Sequence, residues 1–200
     1  MGRATKTKPL SFELDEEMMA TISREFSPKG IVEKFSQAVT GQATEEIEKI
    51  GVEIFREYGK NWMRRSLQLG EEYPDRTYEV LREAADQTGT LTFPLIPQRF
   101  IEIAFLSVQG QAELPVIENN ARRLIFIVER CRIYDRIRNV CGEEIAQMLI
   151  CRHGCLEACR TAFNGFGIDI DDLTFAMNAT TNKDGLCEFE VRKGSGEFDF

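Results

Sequence analysis

Cysteines are the side chains of this sequence best suited to do chemistry. Five of the six lie between Cys131 and Cys159, the sixth is Cys187, and the only histidine, His153, lies among the five. Three thiolates with one further nitrogen, oxygen or water ligand make an ordinary zinc site, and cysteines also hold iron–sulfur clusters. A free cysteine is in addition a small hydrophobic residue that is often buried. A metal site, a reactive thiol and plain packing therefore all stay open.

The spacing of the thiols indicates which of them could meet. Cys151, Cys155 and Cys159 are four residues apart, so they lie along one face of a predicted helix. Cys131 is predicted to end a strand just before that helix, and Cys187 to lie in the last strand of the chain. A strand end, a helix and a neighbouring strand can bring thiols together, and we therefore predict a zinc or iron site, the iron alone or in an iron–sulfur cluster. The predicted metal ligands are Cys131, Cys151, Cys155 and Cys187.

His153 and the local arginines are candidates for the substrate side of such a site. His153 is two residues from Cys151, about 200° around an ideal helix, so in a regular helix it faces away from the thiols. Either the helix is distorted there, or His153 lies on the substrate side, where it could transfer protons near neutral pH. Cys151 and His153 are the predicted catalytic pair. Arg130 or Arg132 could bind a carboxylate, since arginine pairs well with carboxylates and phosphates. The alternative is a solvated basic face, which also includes Arg122, Arg123, Arg136 and Arg138.

The first part of the chain reads as helices. Leu14, Met18, Ile22 and Phe26 recur every four residues, and Ser27 with Pro28 is typical of the start of a second helix. Gly41 should end that helix. A third helix is predicted from Thr44 to about Gly70, and a fourth from Asp75 to Gln87. The apolar stripe of the second and third helices consists of Ile31, Val32, Phe35, Val39, Ile47, Ile50, Ile54, Tyr58 and Trp62.

The second part reads as strands around one helix. Residues 91–97 (LTFPLIP) are predicted to be extended, and strands are predicted at Phe100 to Val108 and Leu124 to Val128. One helix is predicted from Gly142 to about Phe163. Leu173–Thr180 and Leu186–Arg192 should form a hairpin, because the turn residues Asn, Asp and Gly separate them.

These elements predict an α+β fold in which N-terminal helices precede an antiparallel sheet with one cysteine-bearing helix packed on it. The predicted divisions are a flexible start (1–13), a helical region (14–90), a cysteine-rich α+β region (91–193) and a loose tail (194–200), together forming one compact domain. The apolar stripes of the first two helices are compatible with a homodimer.

Composition narrows the choice of partners. The formal net charge of −8 disfavours nucleic acid and anionic membranes, and no apolar run is long enough for a membrane span. The start lacks the apolar segment of a signal peptide, so we expect a cytoplasmic protein whose cysteines are reduced. The remaining partner is a small-molecule ligand or substrate.

Three short motifs carry a resemblance to a known family. They are a strand through Val128 to Cys131 (VERC) with Tyr134 soon after, a helix bearing Cys151, and a closing strand that opens with Asp184 to Phe189 (DGLCEF). From about Leu124 onward the chain thus resembles the L-2-amino-thiazoline-4-carboxylic acid hydrolase family. It is more distantly similar to the 4-vinyl reductase domain, a ligand-binding module. The chain departs from the hydrolase pattern after Cys151, where RHG stands in place of an expected aspartate.

The resemblance implies functional roles by position for Cys131, Cys151 and Cys187 alone. It implies a hydrolase of C–N bonds other than peptide bonds, acting on a small cyclic or amide-like substrate that bears a carboxylate. One alternative is a 4-vinyl-reductase-like module that binds a small molecule or tetrapyrrole and holds structural zinc. A redox or iron–sulfur protein is the third hypothesis.

Overall fold

The computed structural model describes residues 16–72, 95–109, 115–181 and 186–194, and it confirms a mixed α+β fold with N-terminal helices ahead of an antiparallel sheet. The strands are β1 (Val116–Asn120), β2 (Arg123–Val128), β3 (Leu173–Thr181) and β4 (Leu186–Lys193). The helices are α1 (Glu16–Glu25), α2 (Pro28–Val39), α3 (Thr44–Glu72), α4 (Leu95–Gln109), α5 (Arg132–Cys141), α6 (Glu143–Gln147) and α7 (Arg152–Gly165), with a 3-10 turn at Ile170–Asp172.

The N-terminal helices form where the apolar spacing predicts them. Ser27 caps α2, since its side-chain oxygen accepts a hydrogen bond from the Gly30 N–H at 3.2 Å. Gly41 follows the end of α2 with a φ of 76°, a conformation that favours glycine. The helix α3 continues past Gly70 to Glu72. The predicted fourth helix, Asp75 to Gln87, lies outside the described residues, as do the predicted start 1–13 and all of the predicted tail except residue 194.

The sheet has the strand order β1-β2-β4-β3, and every neighbouring pair is antiparallel. The predicted hairpin of β3 and β4 is confirmed, although the turn residues 182–185 lie outside the described part of the chain. Phe126 of β2 pairs with Phe189 of β4, and their rings stack 5.4 Å apart. Phe105 of α4 contacts both of these rings and the ring of Trp62 in α3, so helices and sheet share one apolar core.

The predicted strand at Phe100 to Val108 is wrong, because these residues belong to α4. Ile101, Ala104, Phe105 and Val108 are buried, and their spacing of three and four residues is that of a helix. Of the predicted extended segment 91–97, residues 91–94 lie outside the described part of the chain, and residues 95–97 are likewise helical. Pro97 is tolerated there because the first turn of a helix needs no backbone N–H donors.

The region before the cysteine helix also differs from its prediction. The expected single helix from Gly142 is divided into α6 and α7, and Leu149, with a φ of 55°, lies in the break. Neither α5 nor the edge strand β1 was predicted. No described helix is long and apolar enough to cross a bilayer.

Candidate thiol site

The four predicted metal ligands line one small cavity. Cys131, Cys151, Cys155 and Cys187 are all buried, and the cavity they share has a volume of about 10 Å³. This is about the space of one water molecule. The remaining lining residues are Val128, Leu149, Arg152, Met177 and Phe189.

Three elements of the fold position these thiols. Cys187 lies on β4 opposite Val128 of β2. The prediction that Cys131 ends a strand is wrong. The strand β2 stops at Val128, and Cys131 is the residue that caps α5. Cys151 immediately precedes α7, and Cys155 lies one turn into that helix. The sheet and the starts of two helices therefore converge on the cavity.

The sulfur of Cys131 accepts hydrogen bonds at the start of α5. The Tyr134 N–H donates to it at 3.5 Å, and the Gln109 side-chain amide donates at 3.6 Å. Burial raises the pKa of the Cys131 thiol, although these donors and the Ile133 N–H act in the opposite direction. Cys131 thus has direct contacts that favour a negatively charged sulfur.

Cys151 and Cys155 lie in surroundings that disfavour charge. Burial, together with the proximity of Cys131 and Cys187, raises the pKa of both thiols well above the usual value. They are therefore protonated at neutral pH in the absence of a cation. As the side chains of the described residues stand, no three His, Cys, Asp or Glu groups are arranged to hold a metal ion.

The two other cysteines are placed differently. Cys159 is buried one turn beyond Cys155, yet it does not contribute to the cavity lining, and burial raises its pKa to about 12. Cys141 is half-buried at the end of α5. These two thiols are natural controls for the four at the cavity.

His153 lies on α7 but is not one of the described residues that line the cavity. It is half-buried, and burial followed by the positive charges of Arg152 and Arg56 lowers its pKa, whereas Glu48 acts to raise it. These surroundings therefore favour the neutral imidazole. The structure thus places Cys151 at the cavity, whereas His153, its predicted catalytic partner, lies near charged side chains of α3 and α7.

Arg130 and Arg132 are exposed and are not among the described lining residues of the cavity. The charged residue that does line it is Arg152, which sequence reasoning did not select although it follows Cys151 directly. Several arginines of the predicted basic face form ion pairs, as the alternative interpretation expects. The pairs are Arg123 with Glu118 and Glu190, Arg136 with Glu33, and Arg138 with Asp135.

Comparisons of this chain with family models, curated proteins and solved structures found no match. The resemblance to the hydrolase family therefore stays a prediction.

Proposed function

We propose that this protein binds one soft metal ion, such as zinc, through Cys131, Cys151, Cys155 and Cys187. The observation that carries the proposal is that all four thiols line a single cavity of about 10 Å³. Cysteine sulfur is a preferred ligand of zinc, and four cysteines make a common structural zinc site.

The chemistry of the donor set fits such an ion. Burial of four unpaired thiolates would be very unfavourable, whereas a bound divalent cation offsets part of their charge. The N–H groups that donate to Cys131 resemble the donors that stabilise metal-bound thiolates. Binding requires the thiols to turn toward a common point and to lose their protons. We therefore expect proton release and an affinity that rises with pH.

The size of the cavity favours a structural ion over the other hypotheses. An iron–sulfur cluster contains several atoms, and space for about one water molecule would have to expand considerably to hold it. The cyclic substrate of the hydrolase hypothesis is larger still, and neither Arg130 nor Arg132 lines the cavity. Four thiolate ligands would also leave no open coordination position for catalysis. The role of the ion would be structural, because its ligands would link α5, α7 and β4.

Metal titration of the reduced protein tests the proposal. Purified without oxygen, wild type should bind one zinc or cobalt ion per chain and should melt at a lower temperature after chelation. Cys151→Ser and Cys187→Ser should abolish stoichiometric binding. At position 131 serine is the suitable replacement because its hydroxyl can still cap α5.

Cys141→Ala and Cys159→Ala are the matched controls, and both should bind the ion as wild type does. The proposal would be contradicted if Cys159→Ala lost as much metal binding as Cys151→Ser and Cys187→Ser do. It would also be contradicted if wild type bound no zinc or cobalt through its thiols. A brown protein that contains iron and sulfide would favour the iron–sulfur hypothesis instead.

A further inference from the structure

A buried glutamine lies beside the thiol cavity. Gln109 is the last residue of α4 and is only 1% exposed. Its side-chain carbonyl accepts a hydrogen bond from the Arg132 N–H at 2.8 Å, and its amide donates to the Cys131 sulfur at 3.6 Å. Both polar groups of the side-chain amide are therefore hydrogen-bonded to residues at the start of α5.

We infer that Gln109 is a positioning residue for the metal ligand Cys131, an inference that rests on the proposed function. Its amide fixes the direction in which the sulfur accepts a hydrogen bond, and an N–H donor stabilises a sulfur that carries negative charge. Residues that hold a metal ligand in this way typically change metal affinity about tenfold to a hundredfold when they are replaced.

A purely structural role for Gln109 would make different predictions. The bond to the Arg132 N–H alone would connect α4 with α5 and satisfy a free donor at the helix start. The Gln109→Glu variant separates the two roles, because a carboxylate can still accept from Arg132 but cannot donate to Cys131. The Gln109→Met variant removes both hydrogen bonds, because methionine is apolar, while the length of the side chain stays similar.

Ser107→Ala is the matched control. Ser107 is a buried polar residue of the same helix, and its hydroxyl donates to the Ile103 carbonyl rather than to a thiol. Each variant is titrated with cobalt in the reduced state, and circular dichroism with thermal melting establishes the folded fraction.

Gln109→Glu and Gln109→Met should bind cobalt about tenfold to a hundredfold more weakly than wild type. Their thiolate-to-cobalt charge-transfer band should move to lower energy, because a sulfur without its donor is the stronger electron donor. Ser107→Ala should match wild type in both respects. Wild-type affinity and an unshifted band in the folded Gln109 variants would overturn the inference.

A measurement on wild type decides the question even if the Gln109 variants do not fold. In protein loaded with spin-active cadmium, a scalar coupling should connect the metal nucleus with a Gln109 side-chain amide proton through the hydrogen bond to sulfur. Bound cadmium without this coupling would overturn the inference and leave the proposed function intact. Wild type that binds neither cobalt nor cadmium would overturn the proposed function, and the role of Gln109 with it.

Discussion

Gly59 of α3 and Gly154 of α7 meet backbone to backbone where the two helices cross. A Cβ atom on Gly59 would overlap the Gly154 carbonyl, and one on Gly154 would lie 2.9 Å from the Phe55 carbonyl oxygen. Because Gly154 lies between Cys151 and Cys155, this contact determines how close the thiol-bearing helix lies to α3. The absence of a side chain at both positions is thus a condition for the shape of the thiol site.

The first prediction is that alanine at this crossing destabilises the protein. Gly59→Ala should cost about 1–3 kcal/mol of the free energy of unfolding, because backbone atoms cannot move aside as a side chain can. Gly30→Ala in α2 is the control, since a Cβ there would meet Ser27 Oγ at an ordinary 3.6 Å. Both variants gain helix propensity, so the difference between their urea unfolding curves isolates the overlap. Equal stability of the two variants would contradict the close crossing.

The second prediction concerns the stability of the metal-free protein in alkali. Burial raises the pKa of Cys159 from 9.0 to about 12. Below pH 9 the thiol is protonated in both states and stability does not depend on it. Above pH 9 the unfolded state loses the proton while the folded state keeps it, so stability falls by about 1.4 kcal/mol per pH unit until the folded-state pKa is reached.

Urea unfolding in the presence of a chelator, at about pH 8 and about pH 10, measures this loss. Cys159→Ala should lose about 1.4 kcal/mol less than wild type over this interval, because it lacks this titrating group. Identical pH dependence of the two proteins would show that Cys159 ionises as readily in the folded state as in the unfolded one.

The sequence predicted the helices whose apolar residues follow one period, and the one strand whose short apolar run is rich in branched residues. In α2 and α3 the apolar residues recur at helical spacing, and the short branched run at Leu124 to Val128 forms a strand. In Phe100 to Val108 nearly every position is apolar, so no period separates helix from strand. The length of the element is what separates the two, because the fifteen residues of α4 are more than a typical strand contains.

The thiol site was predicted in outline because cysteine is rare enough to stand out. The spacing of Cys151 and Cys155 and the position of Cys187 in the last strand were sufficient to group them with Cys131. The partnership of Gln109 with Cys131 could not be predicted, since it depends on where α4 ends in space. The exposed positions of Arg130 and Arg132 likewise follow from the turn between β2 and α5, where Arg130 has a φ of 50°.

The third prediction is a depressed pKa for His153, which the structure attributes first to burial and then to Arg152 and Arg56. Because it is the only histidine, its imidazole gives a single set of proton resonances whose titration is directly readable. The midpoint should lie below 6.5, the usual value for histidine. Arg56→Gln should raise it, and Glu48→Gln should lower it further, since the two side chains act with opposite sign.

This depressed pKa also determines how His153 affects stability. As the pH falls below about 6.5, the unfolded state takes up a proton that the folded state does not, so the folded protein loses stability. His153→Asn should therefore flatten the acid limb of the stability profile between that pH and the measured midpoint. A midpoint at or above 6.5 would mean that Glu48 outweighs burial and the nearby arginines. The imidazole would then be partly charged near neutral pH, as the predicted proton-transfer role requires.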